Sequence, residues 1–211
     1  MKTRFTLTSL ALASLMMMGN TAMAAVVSSG TSQFFNVKLT VTGSCEAFTV
    51  ASGKTDAITA KEDATAGADI DFASHLAETN SAELEKDNVG KAANGIHVTC
   101  SKNTVFQVAL EPGNGNSEGL GSMSGLKNTN RDKIAYQLYK PTVNNKGTET
   151  ETIGDGISSD KWGKDTNALS LTGKGLSTPI MLPVFAKVPQ NELSDKTPDI
   201  YHDRVKVTLT Y

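Results

Sequence analysis

Catalytic and cofactor chemistry is what this sequence has least of. Its 211 residues include three histidines (His75, His97 and His202), scattered without ligand spacing, and only two cysteines. A zinc or iron–sulfur site needs more ligands at shorter spacing, so neither is expected. There is no G-x-S-x-G nucleophile elbow, and no histidine stands in a recognisable catalytic setting. "ALSLTGKG" (168–175) lacks the first Gly and the final Ser/Thr of a phosphate loop, and "DGISSD" (155–160) lacks the alternating carboxylates of a calcium loop. The one tryptophan, Trp162, has two readings, a core anchor or a platform for a sugar. Charge is nearly balanced at a formal net −2, leaving no basic surface for nucleic acid or anionic lipid. The expectation is a non-enzyme without cofactors whose partners are proteins.

Long apolar runs are also missing, except at the start. Lys2 and Arg4 precede "FTLTSLALASLMMM", a run too short to span a bilayer comfortably, and "GNTAMA" ends in the small residues Ala22 and Ala24. This is the pattern of a secretory signal peptide over 1–24, cut between Ala24 and Ala25. No later segment is apolar and long enough to cross a membrane, so no stable membrane insertion is expected. The mature chain suits a single domain with a sizeable core. In an oxidising compartment the lone pair Cys45 and Cys100 reads as one structural disulfide. It closes a loop of roughly 55 residues, for which chain entropy gives about 4 kcal/mol.

What the sequence does have is alternation. In "FFNVKLTVTGSC" (34–45), Phe35, Val37, Leu39 and Val41 alternate with Asn36, Lys38, Thr40 and Thr42, the mark of a strand with one buried face. "GIHVTC" (95–100) and "TVFQVAL" (104–110) follow the same rule across the short connection "SKN", as do "KIAYQLY" (133–139) and "ALSLT" (168–172). "PIMLPVFAKV" (179–188) is nearly continuous but interrupted by Pro183, which predicts an edge, bulge or bend. "RVKVTLTY" (204–211) sets Val205, Val207 and Leu209 on one face. Between these runs, "EPGNGNSEGLGSMSG" (111–125) and "KPTVNNKGTETETIGDGISSD" (140–160) read as loops, and only "SHLAETNSAELEKD" (74–87) reads as a short helix. Strands at this spacing predict an all-β sandwich. On the pattern alone, 34–42 is either the first strand of that sandwich or a strand meant for another molecule.

Five motifs in fixed order carry a family resemblance: "IHVTCSKNTVFQVAL", "IAYQLY", "KWG" (161–163), "LPVFAKVP" (182–189) and "YHDRVKVTLTY". With "TGSC" (42–45) ahead of them, the chain resembles the spore coat protein U family, which includes subunits of archaic chaperone–usher pili. It departs from the family where an "FG" element often follows the first cysteine, since "DIDFASHLAE" stands there, and polar residues expand 52–68 and 143–160. The resemblance implies an immunoglobulin-like sandwich over 43–211 that lacks its final strand, preceded by an N-terminal extension over 25–42. The missing strand would come first from a periplasmic chaperone and then from the extension of a neighbouring subunit, with assembly at an outer-membrane usher. It further implies that Phe35, Val37, Leu39 and Val41 form the donated strand. The strand bearing Val205, Val207, Leu209 and Tyr211 would border the groove and dock the chaperone. The function implied is a surface pilus, or fimbria, exported through the periplasm and serving adhesion and biofilm formation. The alternative is a self-contained secreted coat or carbohydrate-binding module using Trp162 and the Gly/Asn loops.

Overall fold

The computed structural model describes residues 34–50, 68–89 and 95–211. The signal-peptide reading, with its junction at Ala24 and Ala25, and nearly all of the polar stretch 52–68 fall outside the described residues. The chain divides into two units, Met1–Thr40 and Val41–Tyr211. In the first, Phe34–Thr40 has no regular secondary structure, and its apolar side chains are exposed, Leu39 by 84%.

The second unit is all-β, an antiparallel immunoglobulin-like sandwich. Its strands are β1 (Cys45–Val50), β2 (Leu84–Asp87), β3 (Ile96–Cys100), β4 (Val105–Pro112), β5 (Leu120–Gly125), β6 (Lys133–Asn144), β7 (Thr152–Lys161), β8 (Leu169–Thr172), β9 (Ile180–Leu182), β10 (Phe185–Val188), β11 (Tyr201–His202) and β12 (Val205–Thr210). They form three sheets, ordered β1-β3-β9, β12-β4-β8 and β11-β5-β6-β10-β2, with β7 also paired to β6. Ile96 and Val98 from the first, Phe106, Val108, Leu110, Leu169 and Leu171 from the second, and Ile134 and Leu138 from the third share one buried core. Burying each such side chain contributes about 1.5–3 kcal/mol, so this core is the main source of stability.

Pro183 breaks its run as expected, and the consequence is a change of sheet: β9 pairs with β3, whereas β10 pairs with β6 and β2. Asn88 makes good the gap. Its Oδ1 accepts from the Val184 N–H (2.8 Å) and its own N–H donates to the Val184 carbonyl (3.3 Å), which explains an asparagine buried at 1% exposure.

Two expectations need correction. Residues 74–87 contain no helix; 74–83 are irregular and Leu84–Asp87 is strand β2. Lys187 of β10 bridges Glu83 (3.1 Å) and Glu85 (2.8 Å), so cross-strand pairing overrides the helix propensity of these residues. The stretches 111–125 and 140–160 are not simply loops: they hold the end of β4, all of β5, the end of β6 and most of β7. In β5 the alternation is invisible because Gly121 must lack a Cβ, which would collide with the Tyr136 ring opposite it. Residues 34–44 form no strand of this chain's own sandwich; among the residues described before position 50, regular structure begins at Cys45.

Candidate functional site

The cysteines are joined as expected, Cys45 to Cys100, with no free cysteine among the described residues. The bond ties the first residue of β1 to the last of β3, its one ladder partner among the described residues.

At the start of β12, Asp203 fixes the chain. Its carboxylate accepts from the Arg204 N–H (2.9 Å), the Asn114 side-chain amide (3.2 Å) and the Tyr136 hydroxyl (2.9 Å). Burial, followed by the charge and hydrogen bond of Asp203, pushes the Tyr136 phenol well above its ordinary range, so it remains a neutral donor. From there β12 runs beside β4 through six unbroken pairs, Val205 opposite Pro112 to Thr210 opposite Gln107.

Directly opposed residues share a face of the sheet. Val207 lies opposite Leu110 and Leu209 opposite Val108, so the Val205–Val207–Leu209 face is the core face. Yet Leu110 and Val108 are 1% and 0% exposed, while Val207 and Leu209 are only half-buried, Val205 is 36% exposed and Tyr211 lies in solvent. Among the described residues β1 is also an edge strand, and it repeats the pattern. Phe48 and Val50 lie opposite the fully buried Val98 and Ile96, but Phe48 is half-buried and Val50 is 38% exposed. On both strands, core-facing side chains lack cover one strand out from a dry core.

Each of these edges lies on the side of its neighbour away from β9 and β8. β3 and β4 are consecutive across the Ser101–Thr104 turn but sit at the centres of different sheets, and β1 and β12 each take one side of them. The other side is bridged by the chain leading from β8 to β9, where the Gly173 N–H donates to the Thr104 carbonyl and the Gly175 N–H to the Cys100 carbonyl. Among the described residues, no strand pairs with the outer edge of β12.

Edge strands are normally blunted by shortness, charge, Pro or bulges. β2 is four residues long and carries Glu85, Lys86 and Asp87, β11 has two residues, and the β6–β7 ladder is interrupted by bulges. β12 has six residues with no Pro and no register shift in its ladder, and its one charge, Lys206, is on the outer face opposite Glu111. There the Lys164 ammonium, by a 2.8 Å hydrogen bond and its charge, holds the Glu111 carboxyl below its ordinary range. The charges therefore stay on the outer face.

Trp162 is fully buried, and its indole N–H donates to the Val108 carbonyl of β4 (2.8 Å). It anchors the core and is not available to stack on a sugar. No helix among the described residues is long and apolar enough to cross a membrane, and no group of three or more His, Cys, Asp or Glu among them could hold a metal ion.

These features define an antiparallel immunoglobulin-like sandwich whose edge strands β1 and β12 carry half-exposed core-facing side chains. The Spore Coat Protein U domain matches residues 31–208, and the chain belongs to that family. Among solved structures it is similar to the CsuC–CsuE chaperone–tip adhesion subunit pre-assembly complex from archaic chaperone-usher Csu pili of Acinetobacter baumannii. The two are 18% identical, with a TM-score of 0.42, over 82% of this chain and 41% of that one. A chaperone–tip adhesin complex of CFA/I fimbriae biogenesis is similar at 13% identity and a TM-score of 0.37, over 75% of this chain and 43% of that one. The chain thus spans about two-fifths of the length of these structures' chains. No curated protein matches it.

Proposed function

We propose that this chain is a structural subunit of a surface pilus and polymerises by donor-strand exchange. The face of Phe35, Val37, Leu39 and Val41 from one copy enters the open side of the next, completing the sandwich beside β12 and β1. Added strands gain affinity from ladder hydrogen bonds and specificity from alternate side chains. A periplasmic chaperone covers the same edge before assembly, because an open apolar edge is an aggregation hazard, and an outer-membrane usher is the place of exchange. The resulting fibre serves adhesion and biofilm formation.

The observation that carries this reading is the half-exposed core face of the edge strand β12. Membership of the family supports it, as does an alternating apolar segment left in solvent within the same chain.

The chaperone-docking role of β12 is tested by Leu209→Asp and Val207→Asp, with Thr208→Asp on the outer face as control. An unpaired carboxylate against the core costs several kcal/mol, comparable with the whole stability of a domain. Co-expressed with the chaperone, the first two variants are expected to give no soluble complex and the control a normal yield. Wild-type recovery of Leu209→Asp would show that this face is not covered in the complex.

A further inference from the structure

The proposed donor segment and the edge that would receive one belong to the same chain, separated only by residues 42–44. A hairpin turn there would fold the extension back along β1 and cover that edge from within. Two-residue hairpin turns need positive φ at one or both central residues, and the type II′ turn takes Gly first. Gly43-Ser44 has that composition, so nothing in the residue types forbids self-covering.

The geometry at this junction does oppose it. The Ser44 N–H donates to the Ser101 hydroxyl (2.9 Å), and the Ser44 carbonyl accepts from the Ser101 N–H (2.8 Å). Both polar groups of Ser44 are thus engaged on the β3 side, continuing the β1 ladder past Cys45. The Ser101 hydroxyl is in turn hydrogen-bonded to the Thr104 hydroxyl (2.6 Å). Gly43 lies so close to Thr104 that an added Cβ would collide with its hydroxyl, and Gly43 is not among the glycines with positive φ. A turn at 43–44 must break this clasp.

We infer that the clasp of Gly43 and Ser44 on Ser101 and Thr104 denies the extension its own open edge and so reserves it for a second copy of the chain. The inference rests on the strand-exchange reading above and adds a determinant of which molecule is covered.

The test uses the full mature chain, purified as its chaperone complex, freed of the chaperone in guanidinium and refolded alone at low concentration. Size-exclusion chromatography then reads folded monomer against polymer. Ser101→Ala with Thr104→Ala removes both hydroxyls and keeps the Ser101 N–H. It is expected to raise the folded-monomer fraction about fivefold, the equilibrium weight of one net hydrogen bond. Thr104→Ala alone is expected to give a smaller rise, and adding Leu39→Asp to the double variant should abolish the gain. The inference is overturned if neither variant raises the monomer fraction, whether the protein polymerises as before or aggregates, or if the gain survives Leu39→Asp. A wild-type chain that forms no polymer at all would instead sink the strand-exchange reading, and the inference with it.

Discussion

Leu39→Asp is expected to leave the domain folded on its chaperone while abolishing its insertion into another subunit. Leu39 is 84% exposed in the isolated chain, so the substitution removes no contact that the domain uses for its own stability. In a fibre, burial of a leucine contributes about 1.5–3 kcal/mol, or roughly a tenfold to hundredfold change in affinity. The aspartate adds the cost of desolvating a carboxylate without a partner, several kcal/mol more. Together these reduce polymer to a trace on an unheated gel. Val37→Asp should behave alike, whereas Lys38→Ser, on the opposite face of the extended segment, should polymerise at wild-type level. Normal ladders from Leu39→Asp would remove the donor role. Loss of the chaperone-bound monomer would show instead that the segment belongs to its own sandwich.

The second large effect is expected at the disulfide. Cys45 and Cys100 are 55 residues apart, and the chain-entropy model gives their bond about 4 kcal/mol. A domain of this size holds only about 5–15 kcal/mol in all. The position of the bond adds to its weight, because among the described residues β1 has a single ladder partner and its pairing with β3 is irregular between Cys45 and Ala47. In Cys100→Ser a hydroxyl also replaces sulfur at a site only 1% exposed, which costs more unless it finds a partner. Either single Ser variant should lower exported yield several-fold and shift chemical unfolding to markedly lower denaturant. Unfolding at the wild-type midpoint would show that β1 is held by other contacts.

Where burial is one-sided, residue alternation exposes the fold. β3, β4, β6, β8 and β12 are legible because each sets an apolar face against the core and a polar face outward, and Pro183 marks the change of sheet. β5 and β7 are not, for separate reasons. β5 needs Gly121 where the Tyr136 ring crosses it, and β7 is a largely exposed strand of Gly, Ser and Asp whose pairing is set by β6. Residues 84–87 were misleading because Glu and Lys favour helices locally, while their ion pairs form across a sheet with a partner a hundred residues away. Buried polar residues were the least legible. Glu151, 2% exposed, accepts from the backbone of Gly147 (2.8 Å) and Thr172 (3.1 Å), and neither partner can be inferred from residue type. At the candidate site, the core face of β12 follows from its pattern, but the partial exposure of Val207 and Leu209 appears only when they are compared with the buried residues opposite them.

The most direct measurement is hydrogen exchange on assembled fibres beside the chaperone-bound subunit. Strand exchange predicts that the amides of residues 35–41, free in the chaperone-bound subunit, become strongly protected in the fibre, while those of 205–210 are protected in both. Fibres in which residues 35–41 exchange as fast as in the unassembled subunit would contradict the account.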